Sequence, residues 1–192
     1  DPSWTAPALG DLNSDGLVDL VVGRANGQVY VAYNYGTLIS PSYSGVAPLL
    51  TTHDVGQNAS PELADLDGDG DLDLLIGNER GEVAYVRNDG GAWNLITESF
   101  GSIDVDTSGT FNGRSVPRAY LNGGSMELWV GSRYSGVHAY PNVSSMLSLP
   151  PVQNPLIQTS IAQATATTLQ TPFGSSKRTG RHQYLIRASE LA

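Results

Sequence analysis

Three stretches of the chain share one order of apolar and polar positions. Each begins in a polar, glycine-bearing turn and runs into a short apolar segment: LVDLVVG at 17–23, DLDLLIG at 71–77 and MELWVG at 126–131. A second glycine turn follows, RANGQ at 24–28, NERGE at 78–82 and RYSGV at 133–137. Then comes a stretch of alternating character, VYVAYN at 29–34, VAYVRN at 83–88 and VHAYPN at 137–142. Short apolar runs and period-two alternation separated by glycine turns predict hairpins. No segment sustains an apolar stripe at the helical spacing of about 3.6 residues, so almost no helix is expected. The fold class is all-β.

The copies align at an offset of 54 residues, pairing Pro7 with Pro61, Gly23 with Gly77, Gly27 with Gly81, Val29 with Val83 and Asn34 with Asn88. Gly124, Gly131, Val137 and Asn142 repeat Gly70, Gly77, Val83 and Asn88 at the same offset. A period of that size predicts a β-propeller-like array of four-stranded blades. The repeats are placed at about 1–48, 49–102 and 103–142. A degenerate fourth copy stays open, with YLIRAS at 184–189 standing where ELWVGS stands at 127–132. Residues 144–180 read as a Ser/Thr/Gln/Pro-rich connection, with one strand expected around 156–171.

Composition narrows the function classes. The 192-residue chain carries a formal charge of −9, which argues against a nucleic-acid partner, since phosphate binding needs a cationic face. Residues 1–142 hold 18 acids and 6 bases, a charge of −12, whereas 143–192 hold one acid and four bases, a charge of +3. No run approaches the roughly 20 apolar residues of a membrane span, so no membrane insertion is expected. The absence of cysteine removes disulfides and thiolate metal sites and is compatible with export. A chain that starts at Asp1 is read as a processed or excised product.

The turns before the first two apolar runs carry the chemistry. The pattern D-x-[DN]-x-D-G-x-x-D occurs as Asp11, Asn13, Asp15, Gly16, Asp19 and again as Asp65, Asp67, Asp69, Gly70, Asp73. Ca²⁺ takes six to eight oxygens at about 2.3–2.6 Å, and a tight loop supplies them from alternate residues. Side chains at the first, third and fifth positions converge, glycine permits the turn, and the seventh position (Leu17 or Asp71) offers its carbonyl. Asp19 and Asp73 close the shell from the start of the following run. Two Ca²⁺ sites are therefore expected, at Asp11, Asn13, Asp15, Leu17 and Asp19 and at Asp65, Asp67, Asp69, Asp71 and Asp73. An EF-hand or dockerin reading fails, because both need flanking helices and the EF-hand a glutamate where Val22 and Ile76 stand. In the third copy the corresponding positions are Ala119, Leu121, Gly123 and Glu127, and no ion is expected there. The DVDTSG segment at 104–109 is a further acidic candidate outside the register.

The motif P-x-L-x-D-L-[DN]-x-D-G-x-x-D-L-[LV]-[IV]-G, followed by G-x-V and an alternating strand, resembles the FG-GAP/VCBS repeats of integrin α-subunit propellers and of many exported bacterial proteins. The resemblance covers roughly residues 5–142 and implies one propeller blade per repeat with calcium in the loop between its first two strands. It says little about activity.

His53, His138 and His182 share no ligand spacing, and neither a nucleophile elbow, a zincin helix nor a P-loop occurs. The protein is therefore read as non-enzymatic. Its expected role is an exported, secreted or cell-surface calcium-binding module for adhesion or assembly, with an extracellular protein, a glycan or copies of itself as partner. A carbohydrate-binding module, of the kind appended to a degradative enzyme, is the alternative, suggested by Tyr30, Tyr33, Tyr35, Tyr43, Tyr134, Tyr140 and Trp129. A second alternative is a self-assembling subunit completed by strand addition from its basic tail. Asn58 and Asn142 head glycosylation sequons, meaningful in a eukaryotic secretory route.

Overall fold

The computed structural model describes residues 5–50, 54–106, 109 and 112–148. The chain forms three antiparallel sheets in sequence order. The first contains β1 (Thr5–Gly10), β2 (Asp19–Arg24), β3 (Val29–Asn34) and β4 (Tyr43–Pro48). The second contains β5 (Ser60–Ala64), β6 (Asp73–Gly77), β7 (Val83–Asp89) and β8 (Ala92–Thr97). The third contains β9 (Val116–Asn122), β10 (Ser125–Ser132) and β11 (Gly136–Tyr140). Each sheet is a meander in which sequential strands are neighbours. Among the described residues the helical content is two 3₁₀ segments, Phe100–Ser102 and Val143–Ser148.

The second sheet lies between the other two, with β5 packed against β1 on one side and β9 on the other. Strand alternation explains how one sheet serves two interfaces. Leu74, Ile76, Ala84 and Val86 join Val21, Val29 and Val31 of the first sheet in one apolar cluster. Leu75, Val83 and Tyr85 join Leu128, Val130 and Tyr140 of the third sheet in another, with Phe100, Ile103 and Val105. The Tyr85 and Phe100 rings meet at 5.5 Å between centroids. Consequently every residue of β6 is buried, as a strand covered on both faces requires.

Glycine sets how closely the sheets approach. A methyl group on Gly23 would overlap the Ala59 carbonyl oxygen and lie 2.8 Å from Pro61 Cδ. On Gly77 it would overlap the Ser115 carbonyl oxygen and lie 2.7 Å from Pro117 Cδ. Both interfaces thus use one device: a glycine in the second strand, covered by the backbone and proline that open the next sheet.

The third sheet corrects two expectations. Pro61 pairs with Ile76 and Pro117 with Val130, so Pro117, not Ser115, is the counterpart of Pro61, and β9 sits two residues later than a uniform offset of 54 places it. The counterparts of Ala64 and Asp65 are therefore Tyr120 and Leu121, and the loop before β10 is two residues shorter. It closes as a tight hairpin at Gly123 and Gly124, whose φ values of 56° and 88° suit such a turn. The sheet also has three strands among the described residues rather than four. Pro141 offers no N–H for a strand ladder, and Asn142 turns the chain with a left-handed φ of 53°. The chain then enters the 3₁₀ helix that begins at the buried Val143, instead of folding back as a hairpin. The expected strand at 156–171, the doubtful fourth copy and the basic tail lie outside the described residues.

Candidate metal centre

Both acidic loops connect the first and second strands of a sheet, β1 to β2 and β5 to β6. Their first carboxylates hold the loop backbone. Asp11 accepts from the N–H of Asp15 at 3.1 Å and Gly16 at 2.8 Å. Asp65 accepts from Gly68 at 2.8 Å and Gly70 at 3.1 Å. Such Asx-type bonds are what short acidic side chains make in turns. Gly16 and Gly70 take φ values of 84° and 97°, which is why glycine stands at the sixth position.

The last carboxylate of each loop is fully buried. Asp19 accepts from Leu12 N at 2.9 Å and Asn34 N at 2.8 Å. Asp73 accepts from Leu66 N at 3.1 Å, Asn88 N at 2.9 Å and the Tyr85 hydroxyl at 3.1 Å. One side chain thus ties the loop entrance to the end of the third strand. Burial raises the Asp73 pKa from its ordinary 3.8, against these hydrogen bonds, and the Asp67 charge adds to the rise. Asp67 is raised as well, by partial desolvation first and then by the charges of Asp69 and Asp65. The Tyr85 hydroxyl, buried beside Asp73, is pushed far above its ordinary value.

The two loops differ in how they gather oxygens. Asp65, Asp67 and Asp73 bring carboxylate oxygens within 4.8 Å of one another and are the one such trio of acidic side chains among the described residues. That span suits oxygens placed around one Ca²⁺ at about 2.3–2.6 Å. The Asp69 carboxylate is outside the trio and accepts from Asp71 N at 2.9 Å. Asp71 turns its own carboxylate to Gly90 N at 2.9 Å, steadying the β7–β8 turn. In the first loop Asp11, Asp15 and Asp19 form no such trio. There the Asn13 amide donates to Asp15 at 3.1 Å, and Asp15 accepts from Leu17 N at 2.8 Å.

Residues 11–76 match the family model of the FG-GAP-like repeat. Over this stretch the chain is similar to the FG-GAP-like repeats. The match begins at the first carboxylate of one loop, ends in β6 and so contains both acidic loops. The third sheet, with its shortened loop, falls outside it. No curated protein and no solved structure matches the chain.

Asn34 and Asn88, one in each of the first two sheets, belong to the same structure and were not among the expected site residues. Asn34 accepts through its side chain from Gly36 N and Ser42 N, each at 2.9 Å. Asn88 accepts from Gly91 N at 2.7 Å and donates to Leu72 O at 3.2 Å. Their recurrence at the offset of 54 was the available signal.

Other candidates resolve differently. In the 104–109 segment Asp104 accepts from Asp106 N at 2.8 Å, and no third acidic side chain joins them among the described residues. Among the aromatics Tyr140 is buried in the core, while Tyr35, Tyr43 and Tyr134 are exposed. His138 is half-buried and shares a 2.7 Å hydrogen bond with the Ser135 hydroxyl, whereas His53 and His182 lie outside the described residues. The side-chain amide of Asn58 donates to Glu79.

Proposed function

We propose that the protein is a calcium-stabilised, non-enzymatic repeat module that works outside the cell in adhesion or surface assembly. The observation that carries this reading is the convergence of Asp65, Asp67 and Asp73 on a loop of an FG-GAP-like repeat. Three carboxylates at that spacing repel one another unless a cation shares them; burial is the first cause of the raised Asp67 and Asp73 pKa values, and the neighbouring acidic charges add to both. A hard divalent ion supplies charge neutralisation and links the exposed arm of the loop to the buried Asp73. The remaining oxygens fall to the Asp71 carbonyl, Asp69 and water. The first loop, with Asp11, Asn13, Asp15, the Leu17 carbonyl and Asp19, takes a second ion more weakly, because an asparagine replaces one carboxylate. Extracellular calcium is abundant enough to fill sites of modest affinity, which suits a module acting outside the cell.

Calorimetric titration of the chelator-stripped protein with CaCl₂, beside thermal melts in Ca²⁺ and in EGTA, tests the reading. Binding with a rise in Tm is expected, and Asp67→Ala removes the tighter site while leaving the EGTA melt nearly unchanged. Equal melting with and without calcium, and no titration heat, overturns it.

A further inference from the structure

The two sheet interfaces within the chain define a seat and a plug, and each end of the array carries one half unmatched among the described residues. The seat is the glycine of the second strand, Gly23 or Gly77. The plug is the backbone and proline of the next sheet, Ala59 with Pro61 or Ser115 with Pro117. Gly131 of β10 stands where Gly23 and Gly77 stand, since it pairs with Val137 as they pair with Val29 and Val83. Yet among the described residues the nearest atom to a methyl placed there is Val116 O at 3.8 Å, within its own sheet. Its φ lies outside the left-handed region, so the conformation alone does not demand glycine. At the opposite end Pro7, paired with Val22 as Pro61 is with Ile76, is an exposed plug.

The surrounding apolar surface follows the same division. Leu63 and Leu72 of the second sheet pack into the cluster against the first sheet. Their counterparts Leu9 and Val18 are 63% and 46% exposed. On the third sheet Val137, the counterpart of the fully buried Val83, is 50% exposed. Tyr120, itself exposed, stands in place of Gly10 and Ala64.

We propose that the free face of the third sheet receives the first sheet of a second copy of this chain, with Thr5–Pro7 of that copy seated over Gly131. The contact is head-to-tail and heterologous, so each copy keeps one unmatched face and association continues until a ring closes. Its occupant is specified by the two interfaces already present in the chain, which join faces of the same kind through glycine and proline. The proposal is independent of calcium and goes beyond the reading above.

Light scattering of the full chain over a range of concentrations, in calcium and in EGTA, tests it. Mass rising with concentration in both conditions is expected. Among the described residues a side chain on Gly131 meets open space, so Gly131→Leu should keep the circular dichroism and dilute-solution Tm of the parent while remaining monomeric. Leu9→Glu, which spoils the other face, should also be monomeric. Mixed, the two variants should form a 1:1 dimer and nothing larger, since each retains one intact half. Three results overturn the proposal: a parent that stays monomeric throughout, Gly131→Leu that associates like the parent, or Gly131→Leu with a lowered Tm in dilute solution. The last would mean that the chain's own residues fill the seat.

Discussion

Replacing Asp73 by alanine should cost more stability than any other single change in the acidic loops, even with calcium removed. Its carboxylate is fully buried and accepts from Leu66 N, Asn88 N and the Tyr85 hydroxyl. Stranding a buried donor costs about 1–3 kcal/mol, so three of them set a ceiling of roughly 3–9 kcal/mol. Two effects reduce it. The desolvated carboxylate is itself held at a cost, as its raised pKa shows, and water entering the space left behind satisfies part of the loss. A net loss of about 3–5 kcal/mol is expected, a large share of a small domain's roughly 5–15 kcal/mol. Asp19→Ala strands two donors rather than three and should cost about one hydrogen bond less. Asp71→Ala breaks one exposed bond to Gly90 N and should stay below about 1 kcal/mol. Urea unfolding in EGTA, followed by tryptophan fluorescence and circular dichroism, gives the three values when both probes report one transition. A loss for Asp73→Ala no greater than that for Asp71→Ala would refute the reasoning, because the buried Asp73 carboxylate would then not be a staple.

Gly77→Ala should lower stability by about 1–3 kcal/mol or more in the same assay, because its methyl meets the Ser115 backbone and the rigid Pro117 ring rather than a flexible tip, while Gly131→Ala should stay within about 0.5 kcal/mol in dilute solution. Burial holds the His138 imidazole below its ordinary 6.5, so on acidification the unfolded chain takes up this proton first. Stability from the neutral ring is therefore complete above 6.5 and declines as pH falls through that value towards the folded one. Melts between about pH 7 and 5 should show this decline for the parent and a flatter line for His138→Gln, whose amide cannot charge; parallel lines would remove His138 from the account.

The acidic loops and the strand order were legible because their signals are local. An aspartate at every second position beside a glycine needs no tertiary knowledge to be read as a turn, and alternation within six residues marks a strand. The staple role of Asp73 was not legible. Its donors lie seven, twelve and fifteen residues away, and only the folded hairpins bring Leu66, Tyr85 and Asn88 to it. The register of the third sheet was misplaced for a related reason. Gly131, Val137 and Asn142 anchor the second half of the repeat at the offset of 54, but β9 keeps only Pro117 as a marker, and loop length leaves no trace in residue type. Among the described residues the third sheet stops at three strands because of Pro141 and the left-handed Asn142, a two-residue signal weaker than the repeat it interrupts.

The shorter third loop has a consequence for how such a unit can change in length. Because side chains alternate across a strand, removing an even number of residues from a hairpin loop leaves each strand's inward set inward. Removing an odd number would exchange the two sets, sending Pro117 and Leu128 to opposite surfaces and uncoupling the sheet from its neighbour. A third loop two residues shorter than the acidic ones is therefore compatible with the interface beneath it, and a bare turn stands there in place of an acidic loop. Parity, more than length, limits how a copied unit of this kind can diverge.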